Sequence, residues 1–191
     1  LTTGVQPTAT VELLGLLEKA NFTLDQLERT LSGRIHEPLP QNSREVLDLL
    51  DRHKYFENDL RSLEPDLERI QQQYHQLNRN QRTPEVETKL SLVVEKWEQL
   101  ASQSKLYVDR LKASEQLHKA LDELHATIHE HEKSLAMHRS LSSDPRQLNS
   151  TTTQLQALQS SMELNQPRID HLGQDVMAIK QLVMRSKPGV V

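Results

Sequence analysis

The sequence predicts an all-α protein in which antiparallel three-helix bundles follow one another along an elongated rod, and three observations predict it. The first is composition, since aromatic residues make up 3% of the 191 residues and only five are Gly, while the helix formers Leu, Gln and Glu are plentiful. The second is an apolar spacing that alternates between three and four residues, as in helices that pack knobs into holes. The third is an internal repeat with a period near 100 residues.

Pro and Gly residues divide the chain into its predicted helices. The breakers are Gly33, Pro38, Pro40, Pro84, Pro145 and the Pro188-Gly189 pair. No Pro or Gly lies between residues 85 and 144, so this stretch can form one helix of roughly 90 Å that is shared across a repeat boundary. We therefore predict a first unit at 1–110 with helices at about 9–32, 43–79 and 84–110. A second, partial unit at 111–191 has helices at about 111–140 and 145–185, and its third helix is missing.

Capping residues mark the predicted helix starts. Asn42, with Glu45 three residues later, resembles a capping box, in which two side chains accept backbone N–H groups at the start of a helix. Thr83 and Asp144 each precede a Pro, an order that places a capping side chain before a residue suited to the first helical position. These local signals agree with the boundaries that the breakers indicate.

An apolar stripe runs along each predicted helix of the first unit. The stripe of the first helix is Leu13, Leu17, Ala20, Leu24, Leu27 and Leu31. The second stripe runs from Val46 to Leu77 and contains His53, which in an apolar seam needs a partner or stays neutral. We expect the stripes to meet in one core. Its predicted members are Trp97, Leu90, Val93, Leu100, Tyr107, Phe56, Leu60, Leu63, Leu67 and Ile70.

The internal repeat is seen when the sequence is aligned with itself at two different shifts. A shift of 102 residues places Phe56, Leu60, Leu67, Ile70, Tyr74 and Leu77 on Leu158, Met162, Ile169, Leu172, Val176 and Ile179. The same shift places Pro65 on Pro167, and we expect both rings to face outward and to bend the helix. A shift of 104 places Leu13, Leu17, Leu24 and Leu31 on Leu117, Leu121, Ile128 and Leu135.

These features together resemble the spectrin repeat, a three-helix bundle in which the third helix of one repeat continues into the first helix of the next. The segment from Val94 to Leu100 resembles the core motif of the third helix, and the resemblance implies that Trp97 is its buried aromatic anchor. Ser143-Asp144-Pro145 resembles the opening of a second helix. The chain resembles rod segments of divergent members, such as plakins, nesprins or dystrophin-like linkers, more than spectrin itself.

The second unit has apolar stripes that two helices alone cannot hide. Its predicted partner-binding face is Leu121, Leu124, Ile128, Leu155, Leu158, Ile169, Leu172 and Val176. We interpret the chain as a structural rod and scaffold segment of a larger cytoskeletal linker in the cytoplasm. The alternative is a helical oligomerisation module in which a helix of a partner chain completes the second unit. A third reading is a regulatory module that docks a signalling protein on one helical face.

Several function classes are not expected. The net charge of -4 lacks the basic excess of a nucleic-acid binder, and no apolar run is long enough to insert in a membrane. Catalytic and cofactor-binding motifs are absent from the sequence, so we predict a non-enzyme with no cofactor. His125 and His129 have the spacing of metal ligands on a helix, but we interpret them as solvated and predict no metal site.

Overall fold

The computed structural model describes residues 8–137 and 144–186, and every regular element among these residues is an α-helix. The helices in chain order are α1 (Thr8–His36), α2 (Ser43–Ser62), α3 (Glu64–Gln76), α4 (Pro84–Met137) and α5 (Pro145–Ser186). The predicted all-α class is therefore confirmed. The predicted boundary between helices near residue 140 lies outside the described residues.

The predicted capping residues accept hydrogen bonds at the starts of α2, α4 and α5. Asn42 Oδ1 accepts the N–H of Glu45 at 2.8 Å, and the Glu45 carboxylate accepts the N–H of Gln41 at 3.0 Å. Thr83 Oγ1 accepts the amide three residues further on at 3.3 Å, and Asp144 Oδ1 accepts the amide two residues further on at 3.1 Å. Each of these bonds satisfies an N–H group that the helix itself leaves without a partner.

The helix predicted at 43–79 is divided in two at Leu63. Pro65 lies in the first turn of α3, and because it has no N–H it cannot continue the hydrogen-bond ladder of α2. Leu63 keeps a helical backbone (φ −80°, ψ −17°), and its carbonyl accepts the N–H of Leu67 at 2.9 Å, so α3 follows α2 without an intervening loop. Pro167, its counterpart in the repeat, lies inside an unbroken α5. Both prolines are exposed, as expected.

One apolar core joins α1, α2, α3 and the first half of α4. Its most deeply buried members come from the stripe of α1 and from the facing residues of the other helices. Of the ten predicted core residues, eight are buried: Val93, Leu100, Tyr107, Phe56, Leu60, Leu63, Leu67 and Ile70. Leu90 and Trp97 are only partly buried.

Trp97 differs from the buried anchor that the resemblance implies. Its indole Nε1–H donates to the carbonyl of Leu60 at 3.0 Å, so the ring lies at the margin of the core with its polar atom toward the end of α2. The largest fully buried aromatic side chain is Tyr107, ten residues further along α4. Indole rings carry an N–H that needs a partner, which favours a marginal position over the centre of an apolar core.

Helix α4 belongs to two packing units. Its first half runs parallel to α1, since Lys89 pairs with Glu18 at 3.5 Å and Lys96 pairs with Asp25. Its second half packs antiparallel to α5, where His131 Nε2 lies 3.1 Å from Ser161 Oγ. The helix is continuous between these halves, as predicted from the breaker-free stretch. We call the first unit the three-helix bundle and the second unit the α4–α5 hairpin.

Candidate interaction surface

The apolar stripe of α4 in the hairpin is covered at every second position only. Leu117, Leu124 and His131 are partly buried against α5. Leu121, Ile128 and Leu135, which alternate with them, keep between 42% and 46% of their surface exposed. The hairpin therefore covers one edge of this stripe and leaves the other edge open.

The stripe of α5 shows the same alternation. Leu158, Asn165, Leu172 and Ile179 lie on the side toward α4, and the last two are buried. Met162, Ile169 and Val176 lie between them in the stripe and are 40% to 48% exposed. Together with Leu121, Ile128 and Leu135 of α4, these three residues form what we call the open face.

The three-helix bundle shows what covers such positions when a third helix is present. The counterparts of Leu121, Ile128 and Leu135 are Leu17, Leu24 and Leu31, which are at most 1% exposed. The counterparts of Met162, Ile169 and Val176 are Leu60 and Leu67, at most 8% exposed, and the partly buried Tyr74. In the bundle, α4 packs against both α1 and α2. The open face therefore presents an apolar surface of the kind that the helices of the bundle bury between them.

A comparison with protein families identifies the bundle. A family model described as the spectrin repeat matches residues 17–113. The chain belongs to the spectrin-repeat family. The match covers α1 from residue 17 onward, α2, α3, and α4 up to residue 113. Among curated proteins, none matched the chain.

The family assignment confirms the resemblance and sets a coarse function. Spectrin repeats are structural helical modules of rods and scaffolds, they bind other proteins, and their family is not an enzymatic one. The hairpin lies mostly outside residues 17–113, so its interpretation as a second spectrin repeat stays a prediction. None of the helices in the described part of the chain carries an apolar stretch sufficient to cross a bilayer.

The predicted partner-binding face divides between the open face and the inside of the hairpin. Leu121, Ile128, Ile169 and Val176 lie on the open face. Leu124 and Leu172 line a groove of about 460 Å³ between α4 and α5, and Leu155 and Leu158 are partly buried. Leu135 and Met162 also lie on the open face, although the predicted partner-binding face does not include them. The repeat could have supplied both, because it aligns them with the buried Leu31 and Leu60.

A buried polar layer ties the three helices of this spectrin repeat together. His53 of α2 is 0% exposed, its Nδ1 accepts from Arg34 of α1 at 3.2 Å, and its Nε2 donates to Ser104 of α4 at 2.8 Å. Phe56 stacks on its ring at 5.0 Å, and Tyr107 lies tilted at 4.7 Å. The layer gives His53 both of the outcomes expected for a seam position, a partner and a neutral ring.

Burial sets the charge state of His53. Loss of solvation, and secondarily the positive charge of Arg34, lower the pKa of His53 from 6.5 to about 4. The unfolded chain therefore binds a proton at a higher pH than the folded chain does. The contribution of the neutral His53 ring to folding stability is fully present above about pH 6.5, and it is lost as the pH falls toward 4. We therefore expect mild acid to destabilise the bundle.

No metal centre is found among the other histidines of the described residues. His125 and His129 are both exposed on α4. Within residues 8–137 and 144–186, no group of three or more His, Asp or Glu side chains is close enough to hold an ion.

Proposed function

We propose that this spectrin-repeat protein is a rod and scaffold segment of a larger cytoskeletal linker, and that it works in the cytoplasm, attached to the cytoskeleton, without a cofactor. The continuity of α4 carries this proposal. At 54 residues, the helix extends about 80 Å and serves first as the third helix of the bundle and then as the first helix of the hairpin. A helix shared in this way sets the angle between neighbouring units and transmits tension from one to the next. We interpret residues 1–110 and 111–191 as tandem units on this basis.

The rod proposal is tested by the mass and shape of the protein in solution. Light scattering coupled to small-angle X-ray scattering should find an elongated monomer of about 22 kDa. A variant with two Gly residues inserted after Lys112 interrupts α4 between the two units, and it should show a broader distribution of shapes at unchanged mass. A compact particle, or an insertion without effect on shape, would contradict the proposal. Cytoskeletal attachment is tested separately by fractionating cells that express a tagged chain.

The open face supports a second function, in which a helix from a partner chain completes the hairpin. Six apolar residues of the open face are about 40% to 48% exposed, whereas five of their six counterparts in the bundle are buried and the sixth, Tyr74, is partly buried. Covering each residue gains roughly 0.7–1.3 kcal/mol, about half of the 1.5–3 kcal/mol for burying a whole apolar side chain. The gross gain of several kcal/mol must offset the entropy of association. The occupant that fits is one amphipathic helix with apolar residues in steps of three and four, like the segment of α4 from Val86 to Leu111.

This second function is tested by self-association and by a model helix. A labelled peptide with the sequence of residues 84–111 should bind the protein, and Ile128→Glu should weaken the binding by placing a charge at the centre of the open face. Leu164→Glu is the matched control, because Leu164 is 76% exposed and lies outside the open face on α5. Binding that both variants reduce equally, or a protein that binds no peptide and stays monomeric and well folded at high concentration, would contradict the function.

A further inference from the structure

Arg110 is a buried cation that pairs with no acidic side chain among residues 8–137 and 144–186. It is 3% exposed, and its guanidinium donates from Nη1 to the carbonyl of Ile35 at 2.9 Å and from Nη2 to the carbonyl of Glu37 at 3.2 Å. Neither bond is to a carboxylate, and burial lowers the pKa of Arg110 from its ordinary value. A buried charge of this kind costs free energy unless hydrogen bonds and neighbouring groups compensate for the lost solvation.

The two carbonyls lie where α1 ends. Helix α1 ends at His36, so the carbonyl of Ile35 belongs to its last turn and has no partner within the helix. A cation at this position also complements the negative end of the helix dipole. Arg110, which belongs to α4, therefore closes the C-terminal end of α1 and fixes the first residues of the loop between α1 and α2.

His118 holds the other end of the same loop. Its Nε2–H donates to the carbonyl of Pro40 at 2.9 Å, and the Pro40 ring is buried. His118 lies eight residues, about two turns, beyond Arg110, in the part of α4 that packs against α5. Between the two, Leu111 and Ser114 are buried. The loop thus binds α4 on both sides of the predicted unit boundary at residue 110.

One end of the α4–α5 hairpin also lies at this boundary. His131 lies beside Ser161, and an antiparallel register continued from this pair brings Ile179 level with Ala113. Ile179 is buried and Ala113 is partly buried, which agrees with this register. The end of α5, the middle of α4 and the α1–α2 loop therefore converge at the junction of the two units.

We propose that Arg110 and His118 form a junction clamp that couples the folding of the α4–α5 hairpin to that of the three-helix bundle. Unwinding α4 at the boundary would free the loop, leave the carbonyls of Ile35 and Glu37 unpaired and open the end of α1. Conversely, loss of the loop would remove both carbonyl acceptors of the Arg110 guanidinium, which would keep its contact with the Tyr107 ring at 6.0 Å. Unfolding of either unit at the boundary would then lower the folding stability of the other unit. The clamp does not depend on the cytoskeletal role proposed above.

A double-mutant cycle tests the coupling. Trp97 is the only Trp and lies in the bundle, so its fluorescence in a urea titration reports bundle unfolding. Leu172→Ala weakens the hairpin at a buried residue remote from the bundle. In the native background we expect Leu172→Ala to lower the urea midpoint of the Trp97 transition. In the His118→Ala background the same substitution should leave the Trp97 midpoint nearly unchanged.

The control is His125→Ala, which removes an exposed His from the same helix one heptad away. In that background, Leu172→Ala should shift the Trp97 midpoint as it does in the native chain. The proposal is overturned if Leu172→Ala shifts the Trp97 midpoint equally in the native and His118→Ala chains, or in neither. Hydrogen exchange gives a second readout, since His118→Ala should raise exchange both in the loop at 37–42 and in α4 at 111–117. A rise confined to the loop would also overturn it.

Discussion

The contrast between the covered and the open stripe predicts unequal costs for the same substitution. Leu17 and Leu121 are equivalent in the repeat, are the same residue type and lie on helices of the same role, but Leu17 is 1% exposed and Leu121 is 42% exposed. Leu17→Ala removes a fully enclosed side chain and leaves a cavity, which costs about 3 kcal/mol. Leu121→Ala removes a side chain that is little more than half covered, and no enclosed cavity can form beside solvent. We expect this second cost to be about 1 kcal/mol.

Urea denaturation followed by two probes measures both costs. Trp97 fluorescence reports the bundle and therefore Leu17→Ala, whereas far-ultraviolet circular dichroism includes the hairpin and reports Leu121→Ala. The pair Leu31→Ala and Leu135→Ala repeats the comparison at the next equivalent positions. Costs that agree within about 0.5 kcal/mol would refute the reasoning, because differences of that size are usual between unrelated sites. They would mean that the hairpin stripe is covered in solution.

Three further predictions concern single residues. Trp97→Ala should cost about 2 kcal/mol in chemical denaturation, since a partly buried ring and one hydrogen bond to Leu60 are lost, and a cost above about 4 kcal/mol would indicate a buried anchor after all. Between pH 7 and pH 4, the native chain should lose about 3 kcal/mol of stability that His53→Gln does not lose, and parallel stability curves would contradict the neutral buried ring. Pro167→Ala should raise the thermal midpoint of unfolding more than Pro65→Ala does, because Pro65 lies in a first turn that needs no N–H, and the reverse order would show that α5 is bent for a purpose.

Periodicity predicted most of the fold because helices of a bundle bury most of their stripe positions. The alternation of three and four residues placed Leu13 to Leu31 on one face, and all six of these residues are buried in the structure. The capping signals at Asn42, Thr83 and Asp144 are local, because each side chain accepts from an amide only two or three residues further on. Such bonds can therefore be predicted from the sequence alone. The same holds for the continuity of α4, which depends only on the absence of breakers.

Features that depend on tertiary context could not be predicted. Pro65 and Pro167 occupy one register, but only Pro65 divides its helix, and no local signal separates the two. The motif around Trp97 specifies a position on the helix and not the depth of the ring in the core. Arg110 and His118 donate to backbone carbonyls of a loop that is distant in the sequence. Every residue type has a backbone carbonyl, so the residue types in the loop do not reveal such a partner.

The parallel course of α1 and α4 determines how the bundle meets a pulling force. The pairs of Lys89 with Glu18 and Lys96 with Asp25 show that both helices point the same way, so the chain enters the bundle at one end and leaves it at the other. Force along the chain then slides α1 lengthwise against α4, and the side-chain contacts resist it together. In an antiparallel pair pulled from adjacent ends, contacts would instead be peeled apart one after another. The bundle is therefore loaded in shear, the direction in which many weak apolar contacts act as one.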